Sequence, residues 1–307
     1  MVSADFHEPV LVGEVIRWLD PERGGVYFDG TLGGGGHAAA ILEAGSTARV
    51  VAADRDPEAI EAAAARLDRY GARLEVHVGD YADVAERLEP VLSGAVLDLG
   101  VSSHQIDARG RGFSFAAGTP LDMRMAGTAG GITAAEVLNT YAEEDLRRVL
   151  REYGEERLAR PLARRIVERR SATPFARSDD LVAVLEGLYR FRLTPQDKAR
   201  VFQALRIEVN RELASLERAL PTLRDRLEPG GVLVVISYHS LEDRRVKHAF
   251  REWSRACVCP PELPVCVCRG APLGEVLTGK PVSPSSAEVE RNPRSRSARL
   301  RAWRRAA

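Results

Sequence analysis

The chain has 307 residues, 45% hydrophobic and 29% charged, with 44 Lys and Arg against 44 Asp and Glu for a formal net charge of zero. These proportions suit a folded globular protein of one large or two smaller domains and exclude collagen-like, coiled-coil and disordered chains. No run of about 18 apolar residues is available to span a membrane. The segment Met1–Pro9, with Asp5, His7 and Glu8, lacks the apolar core of a secretion signal, so a cytoplasmic protein is expected.

Val26–Asp29 is a short β-prone run that leads into Gly30-Thr31-Leu32-Gly33-Gly34-Gly35-Gly36-His37. A helical stretch from Ala38 to Ala44 follows and is closed by Gly45. Next come a strand pattern over Arg49–Asp54 and a helix from Pro57 to about Tyr70, with Pro57 at a favoured first-turn position. Leu74–Val78 leads to Gly79-Asp80-Tyr81, and Gly94–Leu99 leads to Gly100-Val101-Ser102-Ser103. Strands and helices alternating across short turns predict a parallel sheet covered on both faces.

The alternation then stops. Ile106–Pro120 is glycine-rich and irregular, Thr133–Leu188 reads as several helices, and a long helix is expected over about Pro195–Leu220. The apolar run Val232–Ile236 resumes the sheet. The expected organisation is therefore a discontinuous domain, 1–105 with 213–307, interrupted by a helical insertion over 106–212.

Charge divides along the same line. Residues 1–106 carry a balance of −10 and residues 107–307 a balance of +10, which points to a polyanionic partner for the second part. The bias is tempered by usage: 41 Arg against 3 Lys is also what a GC-rich genome gives. The last 17 residues hold Arg291, Arg294, Arg296, Arg299, Arg301, Arg304 and Arg305 and no acid, and are expected to form a phosphate-contacting tail.

In an open parallel sheet, ligands bind beyond the carboxyl ends of the strands at the switch point. Asp29, Asp54, Asp80 and Asp98 all fall at or just past such ends, beside a run of four glycines that lets a ligand approach the backbone. Singly, each Asp could equally cap a helix or turn. Asp54, 18 residues after Gly36, sits where a second-strand acid grips ribose hydroxyls. A dinucleotide would bring its pyrophosphate into a cluster of carboxylates, at an electrostatic cost, and the glycine pattern is not G-x-G-x-x-G. S-adenosylmethionine has no phosphate and carries a sulfonium cation, so it is the expected cofactor. Tyr81 offers a face for adenine.

Several segments extend the pattern. They are FDGTLGGGGH (28–37), AADRDP (52–57), LDLGVSSHQID (97–107), RGFSF (111–115), PLDMRM (120–125), YGEER (153–157), RVFQALRIEVNREL (200–213), ISYHSLEDRRVK (236–247) and NPRSRSARLR (292–301). Together they resemble the bacterial 16S rRNA cytosine-N4 methyltransferase family (MraW/RsmH) from His7 to about Arg301. That resemblance implies an α/β class I, Rossmann-like S-adenosylmethionine-dependent methyltransferase with an inserted helical domain for substrate recognition. It implies methylation of the N4 amino group of a cytosine in the decoding region of 16S rRNA, met within the small ribosomal subunit, with no DNA or membrane partner. The family's cofactor contacts fall on Gly35, Gly36, His37, Asp54, Tyr81, Asp98 and Gln105; His37 and Gln105 come from the resemblance alone. The D-P-P-Y motif of amino-methyltransferases is absent, and Asp98-Leu99-Gly100-Val101 stands in its place. A non-catalytic RNA-binding ribosome-assembly factor with a methyltransferase fold is the alternative.

For the chemistry, Asp98 is the candidate catalytic residue, orienting the amino group, with Ser102 and Ser103 as secondary acceptors. Phe113 and Phe115 could stack on an extruded base, and Arg109 and Arg111 could hold phosphates. His239 ends the later strand on the ligand side, and Ser240 with Asp243 reads as a capping box. Four cysteines cluster as Cys257-Val-Cys259 and Cys266-Val-Cys268. Four thiolates across a Pro-containing turn could bind zinc, but C-x-C is less typical of zinc than C-x-x-C, and the alternative is a loop of free thiols. No metal is assigned from the sequence.

Overall fold

A computed structural model describes residues 9–89, 91–127, 130–260, 265 and 267–307, with the backbone alone at Ser103, His104 and Arg109. The described residues through Gly100, with Ala214–Ala307, form one compact unit, and Val101–Leu213 form a second.

The first unit holds the sheet. Its strands are β1 (Gly25–Asp29), β2 (Ala48–Asp54), β3 (Leu74–Val78), β4 (Leu92–Asp98), β5 (Leu227–Ser237), β6 (Gly274–Val276) and β7 (Arg299–Arg305). Their order is β3-β2-β1-β4-β5-β7-β6. The first five run parallel; β7 pairs antiparallel with both β5 and β6. This is the Rossmann-like α/β architecture expected from the alternation. Near-continuous apolar runs are what central parallel strands require, because helices cover both faces. Side chains alternate accordingly. Phe28, Val51, Leu97 and Val235 pack with Leu216, Leu220, Phe250 and Trp253, while Tyr27, Val50, Val96 and Val234 pack with Val15, Leu19 and Ile41. Short caps place the helices: the Asp56 carboxylate accepts from Glu58 N–H (3.2 Å) and Pro57 opens Pro57–Leu67.

The arginine-rich end does not form a tail. Arg291 ends a short helix, Arg294 and Arg296 sit in a helical turn over Pro293–Ser297, and Arg299–Arg305 form β7, with Leu300 and Ala302 facing one core and Trp303 the other. Arg301 lies among them, 7% exposed, and its Nε and Nη2 donate to Asp243 Oδ1 and Oδ2 at 2.6 and 3.0 Å. Arg304 pairs with Glu275 (3.2 Å), and Arg305 donates to the carbonyls of Asp225 and Leu227. A central antiparallel strand is covered on both faces, so an Arg placed there must be neutralised internally.

The second unit is helical: Ala134–Thr140, Glu143–Glu152, Ala159–Ala172, Ser178–Tyr189 and Pro195–Asn210 surround Leu138, Leu146, Leu162, Ile166, Leu185 and Leu205. Thr133 with Glu136 and Thr194 with Asp197 form capping boxes. The single long helix expected over Pro195–Leu220 is two. Arg211 adopts φ 51°, which ends the first helix at Asn210, and Glu212–Arg226 starts afresh. Asn210 holds that break, accepting from Met125 N–H and donating to the Met123 carbonyl, both at 2.8 Å. Among the described residues no helix is long and apolar enough to cross a membrane.

Arg301→Ala removes the two-pronged partner of the buried Asp243 carboxylate, with Arg299 next at 3.9 Å, and is expected to lower unfolding stability by about 3 kcal/mol. Denaturant melts check this. A variant as stable as the parent but weaker in RNA binding would instead make Arg301 a phosphate contact.

Candidate functional site

The strand order reverses between β1 and β4, and the crevice beyond their carboxyl ends is the expected ligand position. Local hydrogen bonds build its floor. Asp29 Oδ1 accepts from Thr31 N–H (3.1 Å), and Thr31 Oγ1 in turn accepts from Asp98 N–H (2.7 Å). The loop then crosses to β2, where Leu32 N–H donates to the Ala53 carbonyl (2.9 Å) and Gly33 N–H to Asp54 Oδ2 (2.7 Å). Gly35 caps the helix Gly36–Ala44 with φ 77°, and a Cβ there would lie 2.7 Å from Leu67. Glycine is therefore required for both conformation and space.

The four strand-end carboxylates separate into two kinds. Asp80 is bonded within the protein through both oxygens. It caps the helix Tyr81–Arg87, accepting from Ala82 N–H (2.6 Å), and its other oxygen accepts from Arg55 and from Ser215 Oγ (2.6 Å). Asp29 is buried at 1% exposure, and its Oδ2 has no hydrogen-bond partner among the described residues. Asp54 and Asp98 keep part of their surface open.

His37 is buried on the first turn of its helix. Its Nε2 bonds to the Val10 carbonyl (3.0 Å), and its Nδ1 lies 3.8 Å from Asp98 Oδ2. Burial depresses the imidazole pKa, so the ring is held neutral. Asp98 Oδ1 accepts a hydrogen bond from Tyr238 Oη at 2.9 Å. Tyr238 follows β5 and lies against Gly100, where a Cβ would stand 3.2 Å from the ring at φ +110°. Burial pushes Asp98 up to about 7; the Tyr238 hydroxyl opposes this and the Glu242 carboxylate adds to it. Burial likewise pushes Asp29 up to about 6 and raises Asp54. Tyr81 is buried, with its Cβ against Gly30 and the Arg55 guanidinium 6.0 Å from its ring centre.

Gly35, Gly36, His37, Asp54, Tyr81 and Asp98 thus share one unit around this crevice. Gln105 belongs to the second unit, where its Oε1 accepts from Ser102 N–H and its own N–H donates to Ser102 Oγ, both at 3.1 Å. Ser102 is thereby engaged in a local turn, while the side chains of Ser103 and Arg109 lie outside the described residues. In the same unit Phe113 packs on the helical core, whereas Phe115 is 42% exposed with an edge contact to Phe202. Arg111 donates to the Met125 carbonyl (2.7 Å).

The cap of helix Ser240–Trp253 is His239, whose ring accepts from Glu242 N–H, rather than Ser240 paired with Asp243. Asp243 is taken by Arg301. No local sequence signal marks Tyr238, because its partner Asp98 is 140 residues away.

Residues 4–306 match the MraW methylase family. This chain belongs to that family. A ribosomal RNA small subunit methyltransferase H of Gemmatimonas aurantiaca is 52% identical, over 98% of this chain and 96% of its own. Those of Pelobacter propionicus and Geobacter sulfurreducens are 52% and 48% identical, each over 96% of this chain and 97% of the relative. Among solved structures, an rRNA methylase from Streptococcus thermophilus aligns over 100% of this chain and 99% of its own at 10% identity and a TM-score of 0.45, too slight a likeness to argue from.

The enzyme is a methyltransferase with S-adenosylmethionine as its methyl donor. The crevice suits that cofactor. Burial raises Asp29, Asp54 and Asp98, the orphaned Asp29 oxygen adds to the local negative potential, and among the described residues no Arg or Lys pairs with Asp54 or Asp98. A cationic ligand relieves that strain, whereas a pyrophosphate would deepen it.

If ionised Asp98 is the working form, activity rises with pH through about 7. Tyr238→Phe removes a hydrogen bond that lowers the Asp98 pKa, so the acidic limb of the kcat/KM profile is expected to move to higher pH. An unmoved limb would show that the hydroxyl does not govern this carboxyl.

Proposed function

We propose that this enzyme methylates the N4 amino group of a cytosine in the decoding region of 16S rRNA, in the cytoplasm and on the small ribosomal subunit, with no DNA or membrane partner. The observation that carries the reading is Asp98: a carboxylate at the carboxyl end of β4, beside the glycine loop, fixed by the Tyr238 hydroxyl and facing a neutral His37. The names of the relatives, each a ribosomal RNA small subunit methyltransferase H, supply the substrate class.

Gly35 and Gly36 give the cofactor a close approach to backbone at the positive end of helix Gly36–Ala44. Asp54, itself fixed by the N–H groups of Gly33 and Asp56, accepts from ribose hydroxyls. Tyr81 would offer its ring to adenine and His37 would order the turn beside it; Gln105 is the further contact that the family resemblance implies. S-adenosylmethionine supplies an electrophilic methyl group when bound.

Cytosine N4 is a weak nucleophile because its lone pair is delocalised into the ring. Asp98 accepts a hydrogen bond from the amino group, which localises electron density on nitrogen, and takes the proton as that nitrogen gains the methyl group. A pKa of about 7 lets the carboxyl accept a proton and return it to water near neutral pH. Productive transfer needs the reacting atoms about 3–3.5 Å apart. The insertion over 106–212 supplies substrate recognition, with exposed Phe115 as the stacking face for an extruded base.

Asp98→Asn is expected to lower kcat by about 10²-fold or more. Single-turnover rates at saturating cofactor check this, and unchanged turnover with unchanged cofactor affinity would remove the carboxylate from the chemistry. The substrate is tested on small ribosomal subunits from cells lacking the enzyme, incubated with methyl-labelled S-adenosylmethionine and digested to nucleosides. Label is expected in N4-methylcytidine. Label elsewhere would break the assignment of the base, and no label despite measured cofactor binding would favour a non-catalytic assembly factor.

A further inference from the structure

Between helix Ser240–Trp253 and β6 the described residues form no regular secondary structure. The loop buries little of its own: Val265 is 69% exposed and Val267 76%. A long loop without an apolar core needs another constraint to hold one conformation. Its base is tied by Leu273 N–H to the Trp253 carbonyl (2.8 Å). Arg269 strengthens the tie, with Nη1 donating to Glu252 Oε1 and Nη2 to the Arg255 carbonyl, both at 3.0 Å.

Beyond that base three thiols converge. The sulfurs of Cys257, Cys259 and Cys268 all lie within 4.8 Å of one another, with Cys257 and Cys268 3.9 Å apart. Tetrahedral zinc with bonds of about 2.3 Å places its sulfur ligands about 3.8 Å from each other. Val258 N–H points at Cys268 Sγ from 3.3 Å. A backbone N–H aimed at sulfur stabilises a thiolate, the form that binds metal. Two sulfurs joined as a disulfide would be about 2 Å apart and would leave the third thiol unused. Cys266 lies outside the described residues.

We propose that Cys257, Cys259 and Cys268 bind one zinc ion as thiolates, releasing their three protons, and that the metal clips the two arms of this loop together. The C-x-C spacing, unusual for zinc when read along one arm, is immaterial here because the third ligand comes from the opposite arm, nine residues beyond Cys259. A soft d¹⁰ cation is selected by the all-sulfur donor set.

The full-length protein, purified under reducing conditions without chelator, is expected to carry about one zinc per chain by plasma mass spectrometry. Exchange with cobalt(II) should give thiolate-to-metal charge-transfer bands in the near ultraviolet. Cys257→Ser and Cys268→Ser should each surrender metal to a competing chelator that the parent resists, with unchanged far-ultraviolet circular dichroism showing that the fold survives. Reduced protein that gives no cobalt bands overturns the proposal, as does full metal retention by both variants. A Cys257–Cys268 disulfide trapped directly from cells would replace the metal site with a redox pair.

Discussion

The hydrogen bond from Asp98 N–H to Thr31 Oγ1 (2.7 Å) joins the ends of β4 and β1 at the point where strand order reverses. Everything in the crevice is placed relative to it. Thr31 also donates its own N–H to Asp29, so the loop leaves β1 in a set direction and delivers Gly33 to Asp54 on the neighbouring strand. The result is that Asp29 and Asp54 are held by backbone N–H groups and Asp98 by the Tyr238 hydroxyl rather than by cations. Such groups are costly to ionise when buried, and the crevice therefore stores an electrostatic preference for a positively charged ligand.

Elsewhere the same unit treats buried charge in the opposite way. Asp80 is matched by Arg55, and Asp243 is matched by Arg301 in two-pronged geometry. These pairs lock a helix start and a central strand. The contrast between neutralised carboxylates and uncompensated ones divides the acids of this unit into two groups. Sequence position does not, since Asp80 and Asp98 both follow apolar runs and both precede helices.

The antiparallel strand β7 also shapes the site indirectly. It pairs with β5 along Val232–Ser237 and so fixes the strand from which Tyr238 emerges. Trp303 packs at 5.2 Å from Trp253 and donates to Ser254 Oγ, which anchors helix Ser240–Trp253 from its far end. The helix start holds Glu242, whose carboxylate raises Asp98. The arginine-rich strand thus acts on the surroundings of Asp98 through packing.

The sequence alone sets the strand–helix alternation, the glycine loop and the strand-end positions of Asp54 and Asp98. Each depends on local periodicity and on the glycine and proline punctuation that limits backbone freedom. It also carried the family, because long motifs survive as contiguous strings. Which acids are compensated emerges in three dimensions. The partners of Asp80, Asp98 and Asp243 lie on elements 25 to 140 residues away, and a one-dimensional pattern records charge without its neighbours. The shift of the helix cap from Ser240 to His239 and the break at Arg211 have the same origin. Both depend on backbone angles that several residue types tolerate, so they were settled by packing in three dimensions and not by local propensity.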